Sequence, residues 1–129
     1  MSTHSRRQKG EEKIKEVYAG DVVAPPEGYA FTDIMLETLF AEIWSRETLS
    51  MRDKRILLLG MIAAQGEGLT FKIQTKAAIK NGELTAEDVR ELHLFIAQYC
   101  GYPRATAMLG PMEEGIAEAQ EDDESEASQ

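Results

Sequence analysis

One cysteine, Cys100, stands in a chain of 129 residues. A lone thiol excludes an intramolecular disulfide, a Cys-x-x-Cys pair and any cysteine-cluster metal site. Positive charge is also scarce. Fourteen Lys and Arg face 23 Asp and Glu, giving a formal net charge of -9 and a calculated pI of about 4.7. Nucleic-acid binding needs clustered cations that release counterions. The one basic cluster, Arg6-Arg7-Gln8-Lys9, lies in a polar amino terminus, so no nucleic-acid partner is expected. Long apolar runs are missing too. The longest, Ile56 to Ala64, is too short to span a bilayer. No apolar h-region follows MSTHSRRQKG, so no signal peptide is visible. The expectation is a soluble cytoplasmic protein with no membrane partner. Runs of period-2 alternation rich in β-branched residues are absent, which argues against strands.

What is present reads as helix. Hydrophobic residues make up 43% of the chain, enough for one core and too many for a disordered protein. Ile14, Val17 and Tyr18 fit a first short helix. GDVVAPPEGY, Gly20 to Tyr29, breaks it, because consecutive prolines exclude regular helix. Leu36, Leu39, Phe40 and Ile43 mark the apolar stripe of a helix over residues 32–45. Ser50 and Asp53 open another, charged in its first two turns and then apolar all round, which calls for a central position or a subunit interface. GEGLTFKIQTKAAIKNG, Gly66 to Gly82, predicts a polar corner and an amphipathic helix ending at Asn81-Gly82. Thr85 with Asp88 caps a helix carrying Val89, Leu92, Ile96 and Tyr99 on one stripe, and Gly101 ends it. Pro103 opens the last helix, where Met108, Met112 and Ile116 form the stripe and Gly110-Pro111 predicts a kink. The fold class is therefore all-α: one domain of five to six helices in antiparallel pairs, over residues 10–118. Residues 1–9 read as a disordered amino terminus and 119–129 as a disordered acidic tail.

These stretches resemble a known family. LFAEIWSRETLSMRDKRILLLGMIAAQGE and AAIKNGELTAEDVRELHLFIAQYCGYPRA are similar to the centre of the carboxymuconolactone decarboxylase family, and the resemblance runs from about residue 6 to 118. Its carriers are Glu42-x-Trp44-Ser45-Arg46, the Asn-Gly-x-Leu-Thr turn and Tyr99-x-Gly101-Tyr102-Pro103. The resemblance implies the all-α fold of alkyl hydroperoxidase D. It further implies self-association into homotrimers or homohexamers whose neighbouring subunits enclose the site. The peroxidase branch uses a glutamate, a Cys-x-x-Cys and a histidine. Those places fall here on Arg55, Glu67, Thr70 and Gln74, and thiol peroxidase chemistry lacks its nucleophile. The decarboxylase branch commonly keeps a histidine where this chain has Gln74. Glutamine hydrogen-bonds but does not shuttle protons.

Each candidate carries two readings. Gln74 orients a ligand carboxylate or lactone carbonyl, or fills a histidine-sized space. Glu42 acts as acid or base and Trp44 lines a pocket, or they are a capping glutamate and a core tryptophan. Arg46 and Arg55 grip an anionic substrate through their guanidinium forks, or are helix-surface arginines paired with Asp53, Glu42 or Glu67. Glu67 and Tyr99 are further substrate-binding candidates. His93 is a replacement base or a packing residue. Cys100 is a buried inert thiol or a reactive one. The leading expectation is a lyase without metal or other cofactor, acting on a small anionic lactone or carboxylic acid. Arg46 or Arg55 would hold a carboxylate, and Glu42 or His93 would move a proton. The alternatives are a non-catalytic oligomeric ligand-binding or scaffold protein, and a Cys100-dependent antioxidant.

Overall fold

The computed structural model describes residues 2–127, and every regular element among them is helical. They are α1 (Thr3–Val17), α2 (Ala30–Met35), a π-helix (Leu36–Ile43), α3 (Met51–Gln65), α4 (Gly68–Lys80), α5 (Ala86–Cys100) and α6 (Tyr102–Ala127). The chain divides into two compact units, one ending at Ser50 and the other starting at Met51.

In the first unit, Ser2 caps α1 by accepting from the Ser5 N–H at 3.2 Å. The helix buries Arg7, Gly10, Ile14 and Val17, a stripe of alternating three- and four-residue steps. Gly10 lies so close to the π-helix that a Cβ there would overlap the carbonyl of Leu36. Arg7, 4% exposed, ties the unit together. It donates to Asp33 Oδ1 at 2.9 Å, to the Pro25 carbonyl at 2.8 Å and to Glu11. Asp33 Oδ2 in turn accepts from the Gly28 N–H at 3.0 Å. Helix thus covers most of the expected disordered amino terminus, since a buried cation with three partners anchors it; Met1 lies outside the described residues.

The helix expected over residues 32–45 changes register after Met35. The Trp44 N–H reaches the Leu39 carbonyl at 2.9 Å, a five-residue step. The wider turn alters the buried face to Leu36, Phe40, Ala41 and Trp44, while Leu39 and Ile43 of the predicted stripe are exposed. The Phe40 ring meets Tyr18, the carboxyl cap of α1, at 6.1 Å between centroids.

The second unit has its core in Leu59, Ile62, Ala63, Phe71, Ala78, Leu84, Val89, Met108, Met112 and Ile116. Local signals behave as expected here. Asn81 is the carboxyl cap of α4, Gly82 adopts φ 72°, and Thr85 and Asp88 form a reciprocal capping box. Gly101, at φ 92°, turns the chain from α5 into α6. Tyr99 departs from its stripe and is 84% exposed.

Helices α5 and α6 run antiparallel, with His93 beside Ala105 and Arg90 beside Glu113. Helices α4 and α6 run parallel, a departure from simple antiparallel pairing, because two successive reversals separate them. Gly68 faces Pro111, and a Cβ on Gly115 would stand 2.7 Å from the Lys72 carbonyl oxygen. Helix α6 continues through Pro111 to Ala127. Ion pairs extend it past the core: Lys72–Glu118 at 2.8 Å, Lys76–Asp122 at 3.2 Å and Lys80–Asp122 at 3.0 Å. The expected disordered tail is therefore helical through Ala127, with Ser128 and Gln129 outside the described residues. Helix α3 is not enclosed within its unit, since Leu57 and Met61 are 57% and 47% exposed. No helix is long and apolar enough to cross a membrane among the described residues.

Candidate functional site

The predicted site residues separate by unit. Glu42, Trp44 and Arg46 belong to the first; Arg55, Glu67, Gln74, His93 and Tyr99 belong to the second.

In the first unit, the π-helix and the turn after it face one side of α1. Between them opens a cavity of about 290 Å³ lined by Arg6, Lys9, Glu37, Ala41, Glu42, Ser45 and Arg46. Arg6 and Lys9, three residues apart, lie together along one flank of the buried stripe of α1. Glu37, Ala41, Glu42, Ser45 and Arg46 follow the steps of four and five residues that a π-helical turn aligns. Ser45 Oγ donates to the Phe40 carbonyl at 3.1 Å, which helps close the helix end. Trp44 points the other way and is 9% exposed, a core residue of this unit. Three cations and two carboxylates around a small open cavity suit a small anionic ligand. Sequence reasoning set Arg6 and Lys9 aside with a disordered terminus. Their three-residue spacing was the available signal.

The second unit handles its charge differently. Arg55 is fully buried and Gln74 is 1% exposed. Arg55 donates from Nε to Glu83 Oε1 at 2.7 Å and from Nη2 to Glu83 Oε2 at 3.0 Å, a bidentate fork. Its Nη1 donates to Gln74 Oε1 at 2.5 Å. Asn81 Nδ2 adds a bond to Glu83 Oε2 at 3.3 Å. Glu83, from the turn after α4, is thus a carboxylate partner of Arg55 that the sequence reading did not name. Glu83 escaped the sequence reading because nothing local marks a glutamate as the partner of an arginine 28 residues away. Arg55 and Gln74 meet in space. Here they form a closed hydrogen-bonded cluster that solvent does not reach.

The remaining candidates lie apart from that cluster's bonds. His93 Nε2 lies 2.6 Å from the Ala105 carbonyl oxygen, so it serves as donor across the α5–α6 pair. Glu67 is exposed at the amino-terminal end of α4. The Tyr99 ring packs against Phe95 at 5.4 Å. Cys100 is exposed at the end of α5, where a buried thiol was one expectation. Among the described residues, no group of three His, Cys, Asp or Glu could hold a metal ion.

The profile of the carboxymuconolactone decarboxylase family matches residues 29–114. The chain belongs to the carboxymuconolactone decarboxylase family. Within that family it is similar to nitrosuccinic acid decarboxylase npaB of Metarhizium robertsii, 34% identical over 71 residues. The match covers 55% of this chain and 49% of that protein, so the chain spans about half the length of this curated relative. No solved structure matches it. The family match takes in both the wall of the cavity formed by Glu37, Glu42 and Arg46 and the Arg55–Gln74–Glu83 cluster, and leaves Arg6 and Lys9 outside.

Proposed function

We propose that this chain is a decarboxylase-like lyase that acts, without a cofactor, on a small anionic carboxylic acid or lactone. One observation carries the reading: the cavity that brings Glu42 and Arg46 together with Arg6 and Lys9. It supports some of the sequence candidates over others. Arg46 borders a space a ligand can enter, whereas Arg55 is sealed against Glu83. Glu42 borders the same space, whereas His93 is bonded to a backbone carbonyl. The family membership and the similarity to a nitrosuccinic acid decarboxylase support the same class of reaction.

The chemistry explains why a missing histidine is tolerable. An acid already ionised needs no base to lose carbon dioxide. The bond from the carboxylate carbon to the neighbouring carbon breaks, and the electron pair moves onto an electron-withdrawing group there, such as a nitro or carbonyl group. Carbon dioxide leaves, and the carbon then takes up one proton. The site must hold the substrate, steady the developing anion and deliver that proton. Arg46, with Arg6 or Lys9, supplies the positive wall. Glu42 passes the proton in from water.

The test is carbon dioxide release from carboxymuconolactone and from 2-nitrosuccinate. Arg46→Ala is expected to raise KM about tenfold or more, and Glu42→Gln to lower kcat about a hundredfold. Turnover that neither variant alters would sink the assignment. Self-association into a homotrimer or homohexamer belongs to the same proposal. Apolar side chains exposed on α3 and α5, including Leu57, Met61, Leu94 and Phe95, support it. Sedimentation at a mass of one chain would remove it.

A second reading has its own observation. Gln74 stands where the decarboxylase branch keeps a proton-moving residue, and its carbonyl is committed to Arg55. A family member whose residues there have become packing could bind small acids without turning them over. Saturable binding of both substrates with no carbon dioxide release would establish it.

A further inference from the structure

Glu37 and Glu42 are five residues apart. In an α-helix that separation turns through about 500°, which leaves two side chains about 140° apart on different faces. In a π-helix hydrogen bonds join residues five apart, and the wider turn brings the two to within roughly 50° of each other, about a turn apart on one side. Residues 36–43 are π-helical, and both glutamates border the same cavity. Neither is drawn into an ion pair within 4 Å among the described residues, although Arg6, Lys9 and Arg46 border the cavity with them. The change of register thus puts a second carboxylate in the wall of a cavity that already has three cations.

Resting on the decarboxylase reading above, we infer that Glu37 is a substrate-facing carboxylate that favours loss of carbon dioxide. A ligand anchored by its retained anionic group on Arg46, Arg6 or Lys9 presents its other carboxylate to the glutamate face. There the ground state sets like charges together. As the carbon–carbon bond breaks, the electron pair leaves the carboxylate for the electron-withdrawing group and the departing fragment becomes neutral carbon dioxide. The repulsion disappears along the reaction path. Only interactions that differ between ground and transition state alter the chemical step, and this one differs by a full charge. The cavity is open to water, so screening holds the effect to roughly tenfold.

A residue with this role separates binding from turnover, which a merely structural residue does not. Glu37→Gln keeps the shape and removes the charge. It is expected to bind succinate about threefold to tenfold more tightly by calorimetry, while kcat for 2-nitrosuccinate falls about tenfold. Glu37→Asp keeps the charge and should stay close to the unaltered protein in both. Glu37→Gln binding no tighter, or losing affinity and turnover together, overturns the inference. The succinate titration is independent of catalysis. If the unaltered protein releases no carbon dioxide, the decarboxylase reading fails by itself. Tighter succinate binding by Glu37→Gln then still places Glu37 against the ligand, and unchanged binding removes it.

Discussion

Arg46 stands at the border of an open cavity with Glu42, Arg6 and Lys9, in the unit that ends at Ser50. Arg55 stands in the unit that begins at Met51, fully buried, with its guanidinium forked onto Glu83 and bonded to Gln74. Both arginines fall within the family match, and nothing in their sequence contexts says that one borders a cavity and the other is buried. The difference lies in their partners. A buried guanidinium must be neutralised and hydrogen-bonded or it costs more than the fold can bear. An arginine at the border of an open cavity has its guanidinium within reach of a ligand. Function in this chain is therefore best sought where charge stays solvated.

The largest way to break that comparison is to unmake the buried pair. Glu83→Ala leaves Arg55 charged and without its carboxylate in a sealed site. The expected loss is about 3–5 kcal/mol of stability, read from urea unfolding. A double replacement, Arg55→Met with Glu83→Leu, removes both charges and should recover most of that loss. If Glu83→Ala costs less than about 1 kcal/mol, the cluster is not sealed and Arg55 returns as a ligand-binding candidate.

A smaller effect is expected in the first unit. Gly10→Ala drives a methyl group into the Leu36 carbonyl, a backbone group that cannot swing aside. The expected cost is about 1–3 kcal/mol. Because Gly10 sits where α1 meets the π-helix, and Arg6 and Lys9 line the cavity from the same helix, ligand affinity should fall with stability. Unchanged affinity for succinate would separate the cavity from the α1 contact.

How far the sequence discloses all this depends on the range of the interactions. The Thr85–Asp88 capping box, the Asn81-Gly82 stop and the Gly101 turn are decided within a few residues, and each reads directly from the chain. The π-helical register does not. Its buried positions, 36, 40, 41 and 44, differ from an α-helical stripe by single residues, so Leu39 and Ile43 pass for core until the widened turn is seen. The two buried arginines are hidden for another reason. Arg7 and Arg55 find acids, Asp33 and Glu83, 26 and 28 residues along the chain, and nothing local marks either arginine as buried. The site was legible in the same uneven way. Glu42 and Arg46 come from a compact motif, whereas Arg6, Lys9 and Glu37 join it only through helix register and packing.

In the second unit a buried threonine leaves a polar group without a hydrogen bond. Thr75 is fully buried, and its hydroxyl has no hydrogen-bond partner among the described residues. Thr75→Val exchanges that hydroxyl for a methyl group of similar shape. Stability should rise by about 1 kcal/mol, because an orphaned buried donor is removed without leaving a void. A loss instead would mean that the hydroxyl has a bound water to satisfy it.

The smallest effect compares one carboxylate from each unit. Arg7, by its hydrogen bond and then its charge, holds the Asp33 carboxyl below its ordinary range, and the Gly28 N–H adds to this. Lys80 and Lys76 do the same for Asp122. A carboxyl group lowered by folding contributes stability above its unfolded value, about 3.9, and loses it as pH falls through the lower folded value. Acid should therefore weaken both contacts. Salt should tell them apart. Asp33 is bonded to a guanidinium that is almost wholly buried, and its own side chain is 20% exposed; the Asp122 side chain is 38% exposed between two lysines at the surface of α4. Screening acts on charges that water surrounds. Raising ionic strength from about 0.1 M to 1 M shortens the Debye length from about 10 Å to 3 Å. Hydrogen-exchange protection over residues 120–127 should then fall while protection around Arg7 and Asp33 holds. Equal loss in both places would mean that the Arg7–Asp33 contact is as open to solvent as the carboxyl-terminal ion pairs, and the contrast between solvated and sealed charge would have to be redrawn inside the first unit as well.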